Sequence, residues 1–266
     1  MKISANGISI HFSLEGPAGA PVVTLSHSLA ANLSMWDPQV RALVPNYRVL
    51  RYDMRGHGLS EVPEGPYSLE LLAEDVRSLL LALSIPRTVF VGLSIGSMIG
   101  QVLALKCPGM LQGLVLCEAS SRSLPEMRPI WDERVRIART QGMEAHVEPT
   151  IERWFTPPFR ARNTHVVDPV RAMIRATDPK GYEGCIRAIQ GLDLLERIDT
   201  IGVPTLIIVG EDDPASPVAS SLAIHERIGG SELVILKSAA HLSNVEQPEA
   251  FNRALLDFLG RFGASS

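Results

Sequence analysis

Long apolar runs are missing from this chain. No stretch approaches the ~20 residues that a membrane-crossing helix needs, and the start, Met1-Lys2-Ile3-Ser4-Ala5-Asn6-Gly7, has no signal-peptide h-region. Cysteine is scarce as well. Cys107, Cys117 and Cys185 are odd in number, lack metal-type spacing and sit in apolar or helical contexts, which favours buried free thiols over disulfides or a zinc site. A reducing cytoplasm fits these absences. Neither charge is in large excess: a formal net charge of −4 and a pI near 6.0 give no reason to expect nucleic acid or an anionic membrane as partner. Internal repeats and low-complexity tracts are absent too.

What is present is enough for a sizeable core, with 266 residues and 45% hydrophobic content. Ile8, Ile10 and Phe12 alternate after an Asn6-Gly7 turn, a hairpin signal. Short apolar strands follow at Val22–Ser26, Val49–Asp53, Thr88–Val91, Leu114–Cys117, Thr205–Val209 and Leu233–Leu236. A helical stretch from about Leu69 to Leu83 puts Leu71, Leu72, Val76, Leu79, Leu80 and Leu83 on one side. Near-continuous apolar strands separated by amphipathic helices indicate a mostly parallel sheet buried on both faces, with the first hairpin antiparallel. Between 121 and 190 the strand signal disappears, and Pro125, Pro129, Pro149, Pro157, Pro158, Pro169 and Pro179 separate short helical patches. This segment carries a net charge of +3, against −7 on the rest. It reads as a helical cap over the carboxyl edge of the sheet, where α/β proteins bind ligands. The expected division is therefore a core of residues 1–120 and 191–262, a cap of 121–190 and a frayed tail of 263–266.

The most informative segment is Gly92-Leu93-Ser94-Ile95-Gly96. A strand precedes it, and Met98, Ile99, Val102 and Leu105 behind it recur at helical spacing. A serine on a tight turn between a buried strand and a helix N-terminus, with glycines that let neighbouring backbones close in, is the nucleophile-elbow pattern of a serine hydrolase. Its spacing, and the intrusion of Ser94 and Ile95, exclude a dinucleotide-binding loop.

A serine hydroxyl needs a base, and the base needs an acid to fix its tautomer. Of His11, His27, His57, His146, His165, His225 and His241, only His241 lies just beyond the last core strand, in a loop that emerges at the same edge as the elbow. The acid is expected after the preceding strand, in Gly210-Glu211-Asp212-Asp213-Pro214. Asp213, with a forced turn right behind it, is preferred and Asp212 is the alternative. Negative charge on the attacked carbonyl oxygen calls for two preorganised donors, assigned to the backbone N–H of Ile95, at the positive end of a helix, and to that of Leu29. His27, in the same loop as Leu29, is expected to position it. Asp53-Met54-Arg55-Gly56-His57-Gly58-Leu59-Ser60 looks chemical but reads as a tight structural turn.

With these residues placed, the chain resembles the α/β-hydrolase superfamily from end to end, and within it the 3-oxoadipate enol-lactonases. The resemblance rests on Leu33-Ser34-Met35-Trp36, Arg51-Tyr52-Asp53 with Arg55-Gly56-His57-Gly58, the elbow, Trp154-Phe155-Thr156, and His241-Leu242-Ser243-Asn244-Val245-Glu246-Gln247. It implies an α/β-hydrolase fold: a mostly parallel eight-stranded sheet, helices on both faces and a helical cap inserted before the strand that carries the acid. It further implies a cytoplasmic hydrolase, without metal or cofactor, that opens a small enol-lactone through an acyl-enzyme. Two departures concern the pocket wall. Ile95-Gly96-Ser97 stands where such enzymes usually have Met-Gly-Gly, and His27-Ser28-Leu29-Ala30 where they often have Asn-Ser-Leu-Gly.

Ser94 argues against epoxide hydrolases and haloalkane dehalogenases, which carry Asp at the elbow. Carbon–carbon bond hydrolases commonly have Trp after the base, where Leu242 stands here. A generic carboxylesterase, a haloperoxidase-like activity on the same triad and a small-molecule receptor are the other readings. Trp36, Trp131, Trp154 and Phe155 are expected to line an apolar pocket, and an Arg of the cap to suit a substrate carboxylate. Eleven arginines lie there, and the sequence does not choose among them, nor does it give the natural substrate or the oligomeric state.

Overall fold

The computed structural model describes residues 1–262; the tail expected at 263–266 lies outside the described residues. Eight strands form one sheet in the order β1-β2-β4-β3-β5-β6-β7-β8: β1 Lys2–Ala5, β2 Ile8–Glu15, β3 Val22–Ser26, β4 Arg48–Tyr52, β5 Thr88–Leu93, β6 Leu111–Cys117, β7 Thr205–Gly210 and β8 Glu232–Leu236. Only β2 runs antiparallel to its neighbours. Asn6 and Gly7 both take positive φ, 47° and 75°, the backbone that a two-residue hairpin turn requires, and Ala5 consequently pairs with Ile8.

The helices are α1 Asp37–Leu43, α2 Leu69–Ala82, α3 Ile95–Lys106, α4 Arg128–Gln141, α5 Val147–Trp154, α6 Pro157–Arg162, α7 Thr164–Arg175, α8 Pro179–Gln190, α9 Val218–Arg227, α10 Ser243–Glu246 and α11 Pro248–Leu259. Helices α2, α3 and α9 cover one face of the sheet and α1 and α11 the other. The Ser68 hydroxyl opens α2 by accepting the N–H of Leu71 at 3.1 Å. Leu69, Leu72, Val76, Leu79 and Leu80 are its buried stripe, each side chain contributing about 1.5–3 kcal/mol of burial. Leu71 and Leu83, expected on that stripe, are only half-buried at its margin. No helix among the described residues is long and apolar enough to cross a membrane.

Five helices, α4 to α8, lie between β6 and β7. The chain leaves and re-enters the core at adjacent backbones: Leu194 donates to Ser121 at 2.7 Å and Ser123 to Leu192 at 2.8 Å. Most prolines of this stretch start helices, as Pro157 and Pro179 do at first-turn positions, where no N–H is needed. Pro169 departs from the expectation that it separates helices. It sits inside α7, which is held by its own buried face of Val167, Val170 and Ile174.

Because β3, β5, β7 and β8 are parallel, their carboxyl ends share one edge. The loops carrying Leu29, Ser94, Asp213 and His241 therefore emerge together.

Candidate active site

Ser94 sits between β5 and α3 at φ 58°, ψ −116°, a strained backbone for a residue with a side chain. Its neighbours hold it there. A Cβ on Gly92 would collide with the Gly96 carbonyl, and one on Gly96 with the carbonyl of Ser26, so the crossing of strand, turn and helix closes only with glycine at both positions. The Ser94 N–H donates to Cys117 at 2.9 Å and the Ser97 hydroxyl to the Ser94 carbonyl at 2.6 Å. From 88 to 104 every residue is buried except Ser94.

Across the edge, His241 is buried and its Nδ1–H donates to Asp213 Oδ2 at 2.8 Å. Oδ1 of Asp213 accepts the N–H groups of Ala215 and Ser216 at 2.7 and 3.1 Å. Glu211 and Asp212 are exposed; Asp213 is the one that reaches the imidazole. A carboxylate on Nδ1 fixes the tautomer that leaves Nε2 as an acceptor. Ser94 and His241 line one cavity of about 360 Å³. The Ser94 hydroxyl forms no hydrogen bond to another described residue.

The loop after β3 is clamped by two buried imidazoles. His27 donates from Nδ1 to the Ser28 carbonyl at 2.7 Å and accepts the Met54 N–H on Nε2 at 2.9 Å. His57 accepts the Ala30 N–H on Nε2 and donates from Nδ1 to the Arg55 carbonyl at 3.3 Å. Burial pushes both below the usual histidine range, His57 to about 3, so both are neutral, as this bonding requires. Leu29 lines the cavity, and neither its N–H nor that of Ile95 donates to an acceptor among the described residues. The 53–60 segment is a turn built around buried Asp53, which accepts the N–H groups of Leu33 and Leu59 and bonds His11 Nδ1, each at 2.8 Å. None of that segment lines the cavity.

Two of the four expected pocket aromatics are there, Trp131 and Trp154. Trp36 and Phe155 are not. Trp36 is wholly buried against Phe251, ring centroids 6.2 Å apart, and Phe155 stacks on Phe159 at 5.3 Å. Both fill contacts between packed elements, so no face is left for a ligand. Two carboxylates that sequence reasoning gave no role support the loop that carries His241. Glu246 accepts the N–H groups of Ala240 and Thr156 at 2.8 and 3.0 Å, tying that loop to the end of α5. Glu118, behind β6, accepts the Ser243 hydroxyl while its Oε2 has no partner among the described residues. Burial, reinforced by Asp213, pushes Glu118 well above the carboxylate range. In the sequence it is simply the polar residue after an apolar strand, and its partner Ser243 lies 125 residues further on.

The alpha/beta hydrolase fold family matches residues 21–248, and the chain belongs to that family. It is similar to 3-oxoadipate enol-lactonase 2 of Acinetobacter baylyi, with 34% identity over 98% of this chain and 96% of that one. It is also similar to the putative carbamate hydrolase RutD of Agrobacterium fabrum, 31% identical over 94% of this chain and 98% of that protein. Among solved structures, the enol-lactonase from Burkholderia xenovorans LB400 superposes with a TM-score of 0.94 at 39% identity, covering 98% of this chain and all of the other.

Proposed function

We propose that the protein is a serine hydrolase that opens a small enol-lactone, 3-oxoadipate enol-lactone above all, through an acyl-enzyme. One observation carries the reading: Ser94, alone unburied on its elbow, opens into the same cavity as His241, whose free nitrogen is set by Asp213. Ser94 Oγ attacks the lactone carbonyl and its proton passes to His241 Nε2. The N–H groups of Leu29 and Ile95 receive the oxyanion. Collapse breaks the ring C–O bond, and His241 returns the proton to the departing enol oxygen, which then tautomerises to a ketone. His241 next takes a proton from water, the hydroxide attacks the Ser94 ester, and the carboxylic acid leaves as Ser94 regains its proton. The helices between β6 and β7 act as a cap that roofs this chemistry. Similarity to enol-lactonases over nearly the whole chain supports the substrate.

The test compares kcat/KM for the enol-lactone derived from muconolactone, simple alkyl esters and a carbamate, in wild type and Ser94→Ala. The enol-lactone is expected to lead, and Ser94→Ala to abolish turnover with the fold intact. A tenfold preference for alkyl esters would make the protein a general carboxylesterase. Full activity of Ser94→Ala removes the reading.

A further inference from the structure

The cavity above Ser94 is lined by three arginines, Arg122, Arg134 and Arg153, and by no aspartate or glutamate. Arg122 already has partners, Asp193 and Glu196, both at 3.2 Å. So do six other arginines of the 121–190 segment, while Arg128 and Arg162 stand exposed in water. Arg134 and Arg153 differ from all of these. Both are partly buried, and neither meets a carboxylate among the described residues.

Their surroundings fix them. Arg134 lies over the Trp131 ring, Cζ 4.5 Å from its centroid, a stacking that leaves the edges of the guanidinium free to donate. Its carbonyl accepts His146 Nε2–H at 2.9 Å. The His146 ring packs on Tyr182, centroids 5.1 Å apart, and Tyr182 lines the cavity too. Arg153 spends one N–H on the Thr150 hydroxyl at 3.0 Å and keeps the rest. Burial pulls both guanidinium groups below the usual arginine range, and with Arg134 beside it Arg153 falls to about 10; a guanidinium keeps its charge in proteins at neutral pH. Two desolvated like charges without a counter-ion are costly on their own, and a planar anion between them relieves that cost through bidentate bonds.

We infer that Arg134 and Arg153 form a carboxylate subsite, so that the substrate is a lactone or ester carrying its own carboxylate. This rests on the Ser94 hydrolase reading and adds to it a requirement for charge.

Mono-(p-nitrophenyl) glutarate and p-nitrophenyl valerate share an acyl length and differ in the terminal carboxylate. Wild type is expected to favour the glutarate ester by about tenfold or more in kcat/KM. Arg134→Met and Arg153→Met are each expected to bring that ratio near one, through KM, with Lys at either position retaining part of it. Should a variant fold poorly, wild type decides alone. Glutarate should inhibit valerate-ester hydrolysis about tenfold more tightly than glutaramide and lose its advantage as salt is raised. A wild-type ratio near one, with glutarate no better than glutaramide, overturns the subsite and leaves Ser94 chemistry standing. Valerate-ester hydrolysis that survives Ser94→Ala overturns the reading beneath it.

Discussion

His57 holds Ala30: its Nε2 accepts the Ala30 N–H at 3.1 Å, across 27 residues of sequence. The bond exists only while the imidazole is neutral, and burial keeps it so down to about pH 3. The unfolded chain binds that proton near pH 6.5, so stability is complete above 6.5 and falls as pH drops toward 3. The slope is about 1.4 kcal/mol per unit. His57→Gln keeps an acceptor and removes the titration. Urea unfolding between pH 6 and 4 should show its slope reduced by about one proton.

Glu118 has the opposite sign. Its folded carboxyl stays protonated at pH values where the unfolded one has ionised, so it lowers stability progressively as pH rises above about 4.3. Glu118→Gln should exceed wild type in stability by a margin that widens with pH between 5 and 8. Denaturant titrations at those two values measure it, and a constant difference would contradict the assignment.

Gly58 stands at φ 55°, where an added Cβ would run into the Asp53 carboxylate. That carboxylate also holds Leu33 and Leu59. Gly58→Ala should cost about 3 kcal/mol or more, seen as a lowered urea midpoint with an unchanged m-value.

Asp213→Asn should leave the loop intact, because its Oδ1 still accepts Ala215 and Ser216. The amide then presents N–H to His241 Nδ1, which places the imidazole proton on Nε2 and blocks acceptance from Ser94. A drop of about 10⁴-fold in kcat, at nearly constant Tm, is expected.

The elbow could be read from sequence because strand, glycines, serine and helix are contiguous. His241 is marked in the sequence by its place after β8 and Asp213 by the local turn at Pro214, and the fold brings these two side chains within hydrogen-bond distance. What sequence hid was long-range. Whether Trp36 faces a ligand depends on Phe251, which lies far along the chain and fills the space beside it. Picking Arg134 and Arg153 from eleven arginines requires knowing where every acid lies, and Arg139, for instance, is satisfied by Glu183 on another helix. Pro169 is a helix breaker by local propensity, yet it lies inside α7 because propensity yields to a buried helix face.

The paired backbones at Ser121–Ser123 and Leu192–Leu194 make residues 124–191 an excursion that starts and finishes at one doorway. A foreign segment with the same footing could be grafted there without re-threading a single strand. Ser94, Asp213 and His241 would stay with the host, and Trp131, Arg134, Arg153 and Trp154, one wall of the cavity, would travel with the transplant.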